Sequence, residues 1–123
     1  MDFDSAIQAH SNWKIKLFGY ASGASKEKLD PVAVGKDNAC ALGQWLYGDG
    51  KKAMAGSAEY GEVMRAHADF HRQAAALVRM IEAGQQSTVI AQLNDGHSRY
   101  RECSQKVVGL LMKLKSASLK VAV

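Results

Sequence analysis

Residues 57–83 read SAEYGEVMRAHADFHRQAAALVRMIEA and contain the clearest periodicity in the chain. Apolar residues and histidines recur there at the three- and four-residue spacing of one helix face. This face comprises Tyr60, Val63, Met64, His67, Phe70, His71, Ala74, Leu77, Val78 and Ile81. Gly84 follows the segment, and glycine commonly ends a helix. The pattern predicts one long helix, from about Ser57 to Ala83, whose inner face includes two histidines.

The rest of the chain predicts three more helices and no sheet, since no useful stretch alternates with a period of two. The first helix runs from about Phe3 to Tyr20, and residues 19–37 are predicted as a loop. A short second helix follows Asp37-Asn38, either of which can cap it, and ends at Gly48-Asp49-Gly50. The last helix runs from about Ser87 to near the C-terminus. Three long helices and one short helix predict an all-α fold, an antiparallel four-helix bundle. Without an internal repeat or linker, all 123 residues are expected to form a single domain.

The composition is that of a globular chain, with 47% hydrophobic, 23% charged and 7% aromatic residues. The formal charge of +4 permits nucleic-acid binding, but the basic residues are scattered and no recognition motif is present, so no nucleic-acid partner is expected. No apolar run approaches the ~18–20 residues that span a bilayer, so no membrane insertion is expected. The acidic N-terminus lacks the basic region of a secretory signal, and a cytoplasmic location is the expectation.

The chain has only four histidines and two cysteines, and most of them fall where the helical pattern expects apolar residues. His67 and His71 are four residues apart, so their imidazoles project from one helix face about one turn apart. His10 interrupts the apolar stripe of the first helix, and Cys40 lies in the first turn of the second. Buried imidazoles without a metal would each need separate hydrogen-bond partners. Three nitrogens and one sulfur instead make a closed tetrahedral set suited to Zn²⁺.

Structural explanations for the individual residues stay open. A single histidine on an apolar stripe is often a core residue with a hydrogen-bond partner, and Cys40 could be a small buried residue beside Gly43. If Asn38 caps the second helix, Cys40 occupies its second position, where free backbone N–H groups favour a thiolate. His97 lies on the buried seam of the last helix, where it could replace a ligand; we interpret it as a core or edge histidine. Cys103 does not share its face and is interpreted as a structural thiol.

Three short motifs form a familiar pattern: HSNWK at 10–14, CALGQWL at 40–46 and HADFH at 67–71. The middle motif, Cys-x-Leu-Gly-x-Trp, is the most specific, and all three occur in family order with compatible spacing. In these motifs the chain resembles the chemoreceptor zinc-binding domain family over essentially its whole length. The resemblance implies a cytoplasmic helical bundle that holds one zinc through three histidines and one cysteine. The implied ligands are His10, Cys40, His67 and His71.

The resemblance also implies supporting roles and partners. Trp13, Trp45 and Phe70 are implied as packing residues around the site, and Gly43 as the residue that allows a close helix approach there. Family members are typically attached to bacterial chemoreceptors or diguanylate cyclases, and a homodimer is implied as well. The implied input is zinc itself, or oxidation of the zinc-bound cysteine by hypochlorous acid. Neither a methyl-accepting coiled coil nor a cyclase domain accompanies the motifs in this sequence, so the output partner stays open.

We therefore expect a zinc-dependent sensory or regulatory domain, not an enzyme, with Cys40 as its redox or zinc-occupancy switch. Four protein ligands leave no open position for a water or substrate, which a catalytic zinc needs. One alternative is a structural zinc domain that mediates homodimerisation. A zinc hydrolase has less support, because there is no His-Glu-x-x-His motif and Asp69 lies across its helix from the histidine pair. A di-iron bundle would need several inward-facing carboxylates and a Glu-x-x-His motif, which is absent.

Overall fold

The computed structural model describes residues 3–54 and 56–121, and the side chains of residues 4–54 and 56–116. Within these ranges the chain forms seven α-helices and no β-strand. The helices are α1 (Phe3–Ser22), α2 (Pro31–Val34), α3 (Ala41–Tyr47), α4 (Asp49–Met54), α5 (Ala58–Glu82), α6 (Gln86–Asn94) and α7 (Arg99–Val121). The predicted all-α class and helical bundle are confirmed, including the three long helices α1, α5 and α7.

The longest helix, α5, lies within one residue of its predicted bounds at each end. Ser57 caps it, with its hydroxyl oxygen accepting a hydrogen bond from the backbone N–H of Tyr60. Gly84, with a positive φ of 86°, follows its C-terminal end, a conformation that glycine adopts without a Cβ penalty. Eight of the ten residues on the predicted stripe of α5 are buried, whereas Tyr60 and Met64 are half-buried. α5 packs against α1, α2, α6 and α7. α5 is therefore the element around which the other helices are arranged.

The hydrophobic core lies where α1, α5 and α7 meet, and each of these three helices packs against the other two. The shorter helices close the sides of this core: α2 packs on α5, α3 on α1, and α6 on all three long helices. Fully buried side chains of the core include Leu17, Leu42, Leu46, Val63, Phe70, Val78, Leu93, Tyr100 and Leu111.

The predicted loop over residues 19–37 is partly helical, so that prediction was wrong in detail. α1 continues to Ser22, and Pro31–Val34 forms the short helix α2. The Asp30 carboxylate accepts a hydrogen bond from the backbone N–H of Val32, and Pro31 stands at the first helical position. A capping side chain followed by proline starts a helix efficiently, because proline's fixed φ suits the first turn. The chain also resumes after α3 as α4, where the sequence predicted only an end.

The predicted single helix from Ser87 onward was also wrong, because the chain breaks between α6 and α7 at residues 95–98. The Asp95 carboxylate accepts a hydrogen bond from the backbone N–H of His97. The Ser98 hydroxyl donates to the carbonyl of Gln92 and accepts from the N–H of Arg101. Such local side-chain bonds compete with the helical backbone pattern, which explains the break despite the continuous apolar spacing.

Candidate metal centre

The histidine pair on α5 is buried on one face of the helix, as its spacing predicted. His67 is 1% exposed and His71 is fully buried. Their Nε2 atoms lie 3.0 Å apart, and the two rings meet edge to face at a centroid distance of 4.5 Å. One helix therefore presents two ring nitrogens to a single point.

Cys40 meets this pair from the start of α3. Its Sγ lies 3.4 Å from Nε2 of His67 and 3.4 Å from Nε2 of His71. The three ligand atoms lie within 4.8 Å of one another, and they form the one such group of three or more among the described His, Cys, Asp and Glu residues. We call Cys40, His67 and His71 the donor cluster.

Cys40 is itself the capping residue of α3, so the prediction that Asp37 or Asn38 caps this helix was wrong. Its extended backbone (φ −85°, ψ 164°) places Sγ to accept a hydrogen bond from the N–H of Gly43 at 3.2 Å. Gly43 has no room for a side chain, because a Cβ there would lie 1.7 Å from the carbonyl oxygen of Asp37. The close approach expected at Gly43 is present, but to the preceding turn of its own chain. This contact sets the path of the backbone that carries Cys40.

A backbone carbonyl on α2 orients His71. The Nδ1–H of His71 donates to the carbonyl oxygen of Val34 at 2.7 Å, since that oxygen can only accept. The neutral ring then carries its lone pair on Nε2, the atom that faces Cys40 and His67. A bond of this kind to the far ring nitrogen is the usual support of a metal-binding histidine.

His10 faces inward from α1, as predicted, and is 2% exposed. Its Nε2 lies 3.1 Å from Oγ of Ser104 on α7, and its ring packs on Phe70 at a centroid distance of 4.1 Å. His10 and two members of the donor cluster, Cys40 and His67, line the same cavity of about 590 Å³. The structure thus brings three of the four predicted ligands together and places His10 beside them. One ring nitrogen of His10 contacts Ser104 on α7.

Among the side chains that the structure describes, two buried ring nitrogens lack hydrogen-bond partners: Nδ1 of His10 and Nδ1 of His67. A buried polar atom without a partner is costly, and Nδ1 of His10 is available for a ligand that the protein atoms do not supply, whereas His67 faces the donor cluster through its other nitrogen, Nε2. Imidazole nitrogens combined with a thiolate suit Zn²⁺ in chemistry and number. The residues present therefore fit a zinc ion.

Burial controls the protonation of these groups. It lowers the pKa of His10 to about 4 and that of His67 to about 3, and the charge of His71 acts in the same direction on both. Burial also lowers the pKa of His71. All three imidazoles are consequently neutral near pH 7, which is the form that binds a metal.

Burial raises the pKa of the Cys40 thiol, and this outweighs the opposing hydrogen bonds from the backbone N–H groups of Gly43 and Leu42. The helix-start N–H groups do favour the thiolate, as expected, but burial outweighs them and the net shift in the metal-free site favours the thiol. The nearby Asp37 carboxylate adds to the upward shift. Cys40 must lose a proton to the solvent when it binds a metal.

The predicted packing residues lie near the donor cluster to different degrees. Trp13 meets the His71 ring edge to face at 5.5 Å, and Lys16 lies over the Trp13 ring. Phe70 contacts His10 and His71. Trp45 is half-buried against the hydrophobic core and would lie 3.1 Å from a Cβ placed on Gly50.

The other candidate residues lie away from the cluster. His97 is exposed in the break between α6 and α7, so its predicted place on a buried seam was wrong. Cys103 is half-buried against the core as a free thiol. Asp69 is exposed and pairs with Arg72, which agrees with its predicted position across the helix from the histidine pair.

Sequence reasoning missed three contributors to the site: the Val34 carbonyl, Asp37 and Ser104. Backbone carbonyls leave no trace in a residue pattern, and Asp37 was interpreted only as a helix cap. Ser104 did leave a signal, because it fills the gap between Tyr100 and Val107 on the apolar seam of α7. His10 was found from a gap of the same kind on α1.

Comparison with known families gives one match. The model of the family described as chemoreceptor zinc-binding domain matches residues 10–78, which is more than half of the chain. The matched segment begins at His10, contains the three motifs, and ends before α6 and α7. No curated protein and no solved structure matches. In the part of the chain that the structure describes, no helix is long and apolar enough to cross a membrane.

Proposed function

Because the chain belongs to the chemoreceptor zinc-binding domain family, we propose that it is a zinc-dependent sensory module of bacterial signalling, of the chemoreceptor or diguanylate cyclase type. The observation that carries the proposal is the convergence of Cys40 Sγ with the Nε2 atoms of His67 and His71, from two helices onto one point. His10, on a third helix and in the same cavity, is the proposed fourth ligand.

In this proposal the site regulates and does not catalyse. Zn²⁺, when bound, favours the thiolate form of Cys40 and cross-links the helices that supply its ligands. Four protein donors leave no position for a substrate. Asp69, the carboxylate nearest in sequence to the histidine pair, faces solvent and pairs with Arg72, so it is not placed to act as a general base.

The proposed switch is oxidation of Cys40 by hypochlorous acid. The thiolate sulfur loses two electrons and gains the oxygen as a sulfenic acid, while chlorine leaves as chloride: RS⁻ + HOCl → RSOH + Cl⁻. A sulfenic acid is a poorer metal donor than a thiolate. Cys40 also caps α3 through Gly43, so the same change alters the start of that helix. The cavity that Cys40 lines offers a small oxidant a route to the sulfur.

Metal analysis of the purified protein tests the site. We expect a single zinc per chain, lost when His10, Cys40, His67 or His71 is replaced in turn by alanine. The matched controls are His97→Ala and Cys103→Ala, which change the remaining histidine and cysteine and should keep the metal. Retention of zinc in all four ligand variants would refute the proposal.

A second experiment tests the redox switch. Stoichiometric hypochlorous acid should release zinc and reduce helicity in the wild-type protein and in Cys103→Ala. Helicity in Cys40→Ala should not respond. If Cys40→Ala loses helicity in the same way as the wild type, Cys40 is not the switch.

We also propose that the domain forms a homodimer. Ile15 and Phe18 on α1 are 69% and 43% exposed, and Met112 on α7 is 58% exposed. Ile15 and Phe18 are three residues apart on one helix, and α1 packs against α7. Clustered exposed apolar side chains are typical of surfaces that bind a partner. The mass in solution, measured with and without a chelator, tests this. A monomer under both conditions contradicts it, and a dimer that persists without metal shows that zinc does not control assembly.

A further inference from the structure

One hydrogen-bond contact joins the candidate metal site to a helix that lies outside the family match. Nε2 of His10 on α1 lies 3.1 Å from Oγ of Ser104 on α7, 94 residues along the chain. The family match ends at residue 78, before α7 begins. The family assignment therefore does not account for this contact.

The contact leaves the two nitrogens of His10 in different situations. Nε2 has the Ser104 hydroxyl as its partner, whereas Nδ1 is buried and has no partner in the described part of the chain. The ring is 2% exposed and packs on Phe70 at 4.1 Å, so it is held within the core. Nδ1 is thus the ring nitrogen that is available to a metal, since Nε2 already contacts Ser104.

Ser104 is a polar residue on an apolar seam. It lies four residues after Tyr100 and three before Val107, and both of these side chains are buried. Ser104 is half-buried, and among the described side chains its hydroxyl contacts His10. Because a hydroxyl both donates and accepts hydrogen bonds, Ser104 can accept one from the ring N–H of a neutral His10.

We propose that Ser104 is the positioning residue of His10: its Oγ accepts the Nε2–H, which leaves the lone pair of Nδ1 for the metal. The proposal rests on the proposed function, since it takes His10 as the fourth ligand. Partners that accept the far ring N–H fix the orientation and tautomer of a metal-binding histidine.

His71 supplies the internal comparison. Its Nδ1–H is held by the Val34 carbonyl, and its Nε2 faces the donor cluster. His10 has the reverse arrangement, with Nε2 on Ser104 and Nδ1 uncommitted. The two histidines would then bind the same ion through different ring nitrogens.

The contact also gives the metal site a connection to the C-terminal helix. α7 packs against both α1 and α5, the helices that carry the histidines. Through Ser104, the proposed ligand His10 therefore contacts α7 directly.

Zinc affinity, measured by competition with a chelator, tests the role of Ser104. Removing a supporting partner of this type costs about 10–100-fold in affinity, so Ser104→Ala should bind zinc at least about 10-fold more weakly. Ser104→Thr keeps the hydroxyl and should recover most of the loss. Cys103→Ala, one residue away on the same helix, is the matched control and should bind as the wild type does. Unchanged or tighter binding by Ser104→Ala overturns the proposal, and tighter binding would mean that Ser104 withholds His10 from the metal.

Nuclear magnetic resonance of the ¹⁵N-histidine-labelled, zinc-loaded wild-type protein tests the geometry without relying on any variant to fold. His10 should show a metal-bound Nδ1 and a protonated Nε2, and His71 the reverse. A metal-bound Nε2 at His10 overturns the proposal. If His10→Ala loses zinc while Ser104→Ala does not, this inference fails and the proposed function stands. If His10→Ala retains zinc, His10 is not a ligand, and the proposed four-ligand site fails together with this inference.

Discussion

Two turns of the chain share one capping geometry and differ in what surrounds them. In the Asp37–Cys40 turn, Sγ of Cys40 accepts a hydrogen bond from the N–H three residues later, at 3.2 Å. In the Asp95–Ser98 turn, Oγ of Ser98 accepts from the N–H of Arg101, also three residues later and also at 3.2 Å. The first turn places its capping atom against two buried histidines, whereas the second carries the exposed His97.

The difference shows that capping alone does not make a site. Both turns start a helix by the same local chemistry, which the sequence specifies within a few residues. In the first turn, Gly43 allows the backbone of Asp37 to approach closely, and Cys40 contacts the two histidines of α5. The metal site is thus a product of packing between distant segments, added to an ordinary helix start.

The largest difference in stability between the two turns is expected when a glycine at each is replaced by alanine, which adds a single methyl group. Gly43→Ala would place Cβ 1.7 Å from a backbone carbonyl oxygen, whereas a Cβ at Gly96 meets nothing within 4 Å. We expect Gly43→Ala to lower the free energy of unfolding by about 3 kcal/mol, because the backbone must move to relieve the overlap. Gly96→Ala should raise it by about 0.4–1 kcal/mol through the less flexible unfolded chain. Urea unfolding of the metal-free proteins measures both, and equal effects at the two positions would contradict the comparison.

Zinc affinity should separate the histidines of the two regions. His71→Ala removes a proposed donor, so it should cost no less than the loss of a supporting partner, or about 100-fold in affinity. His97→Ala changes an exposed side chain and should leave the affinity unchanged. Chelator competition on variants with wild-type helicity checks this. If His71→Ala and the wild type bind zinc with similar affinity, His71 is not a ligand.

The same two regions show how far sequence reasoning reached. The pair His67 and His71 could be predicted because both residues belong to one long helix, where a spacing of four fixes their relation. The inward face of His10 followed from a gap in an apolar stripe. Periodicity alone does not establish whether His10 joins the other donors, since that depends on the packing of α1 against α5 and α7; the prediction of His10 as a ligand came from the family resemblance.

The errors also have physical causes. The apolar spacing continues through residues 95–98, so periodicity alone could not reveal that Asp95 and Ser98 bind the backbone and break the helix. Cys40 was placed inside its helix because asparagine and aspartate are the more usual caps, while here the thiol sulfur itself takes that role. The role of the Val34 carbonyl could not be predicted, since every residue carries a backbone carbonyl.

Acid should destabilise the metal-free protein through the buried histidines. Burial, with the charge of His71 as the second cause, lowers the pKa of His67 to about 3 and of His10 to about 4, from an ordinary 6.5. Below pH 6.5 the unfolded chain therefore binds protons that the folded chain does not, so stability is full above pH 6.5 and falls as the pH drops toward 4.

Urea unfolding at pH 7 and at about pH 5.5 measures this loss, which we expect to be about 2 kcal/mol for the two histidines together. His10→Leu should lose about 1 kcal/mol less stability over the same interval, because one of the three buried imidazoles is gone. A stability that rises between pH 7 and pH 5.5 would contradict the burial of neutral imidazoles at this site.

The smallest effect is expected at the cap of the exposed turn. Ser98→Ala removes the acceptor for the N–H of Arg101 and the donor to the carbonyl of Gln92, so it should lower the free energy of unfolding by about 1 kcal/mol. Zinc affinity should stay at the wild-type value, because this turn lies away from the donor cluster.

Cys40→Ser is the matched change in the first turn. The serine hydroxyl can keep the cap on α3, so metal-free stability should change little while zinc affinity falls. If Ser98→Ala instead weakens zinc binding as much as Cys40→Ser does, the two turns are coupled through α7, and the separation drawn between them is wrong.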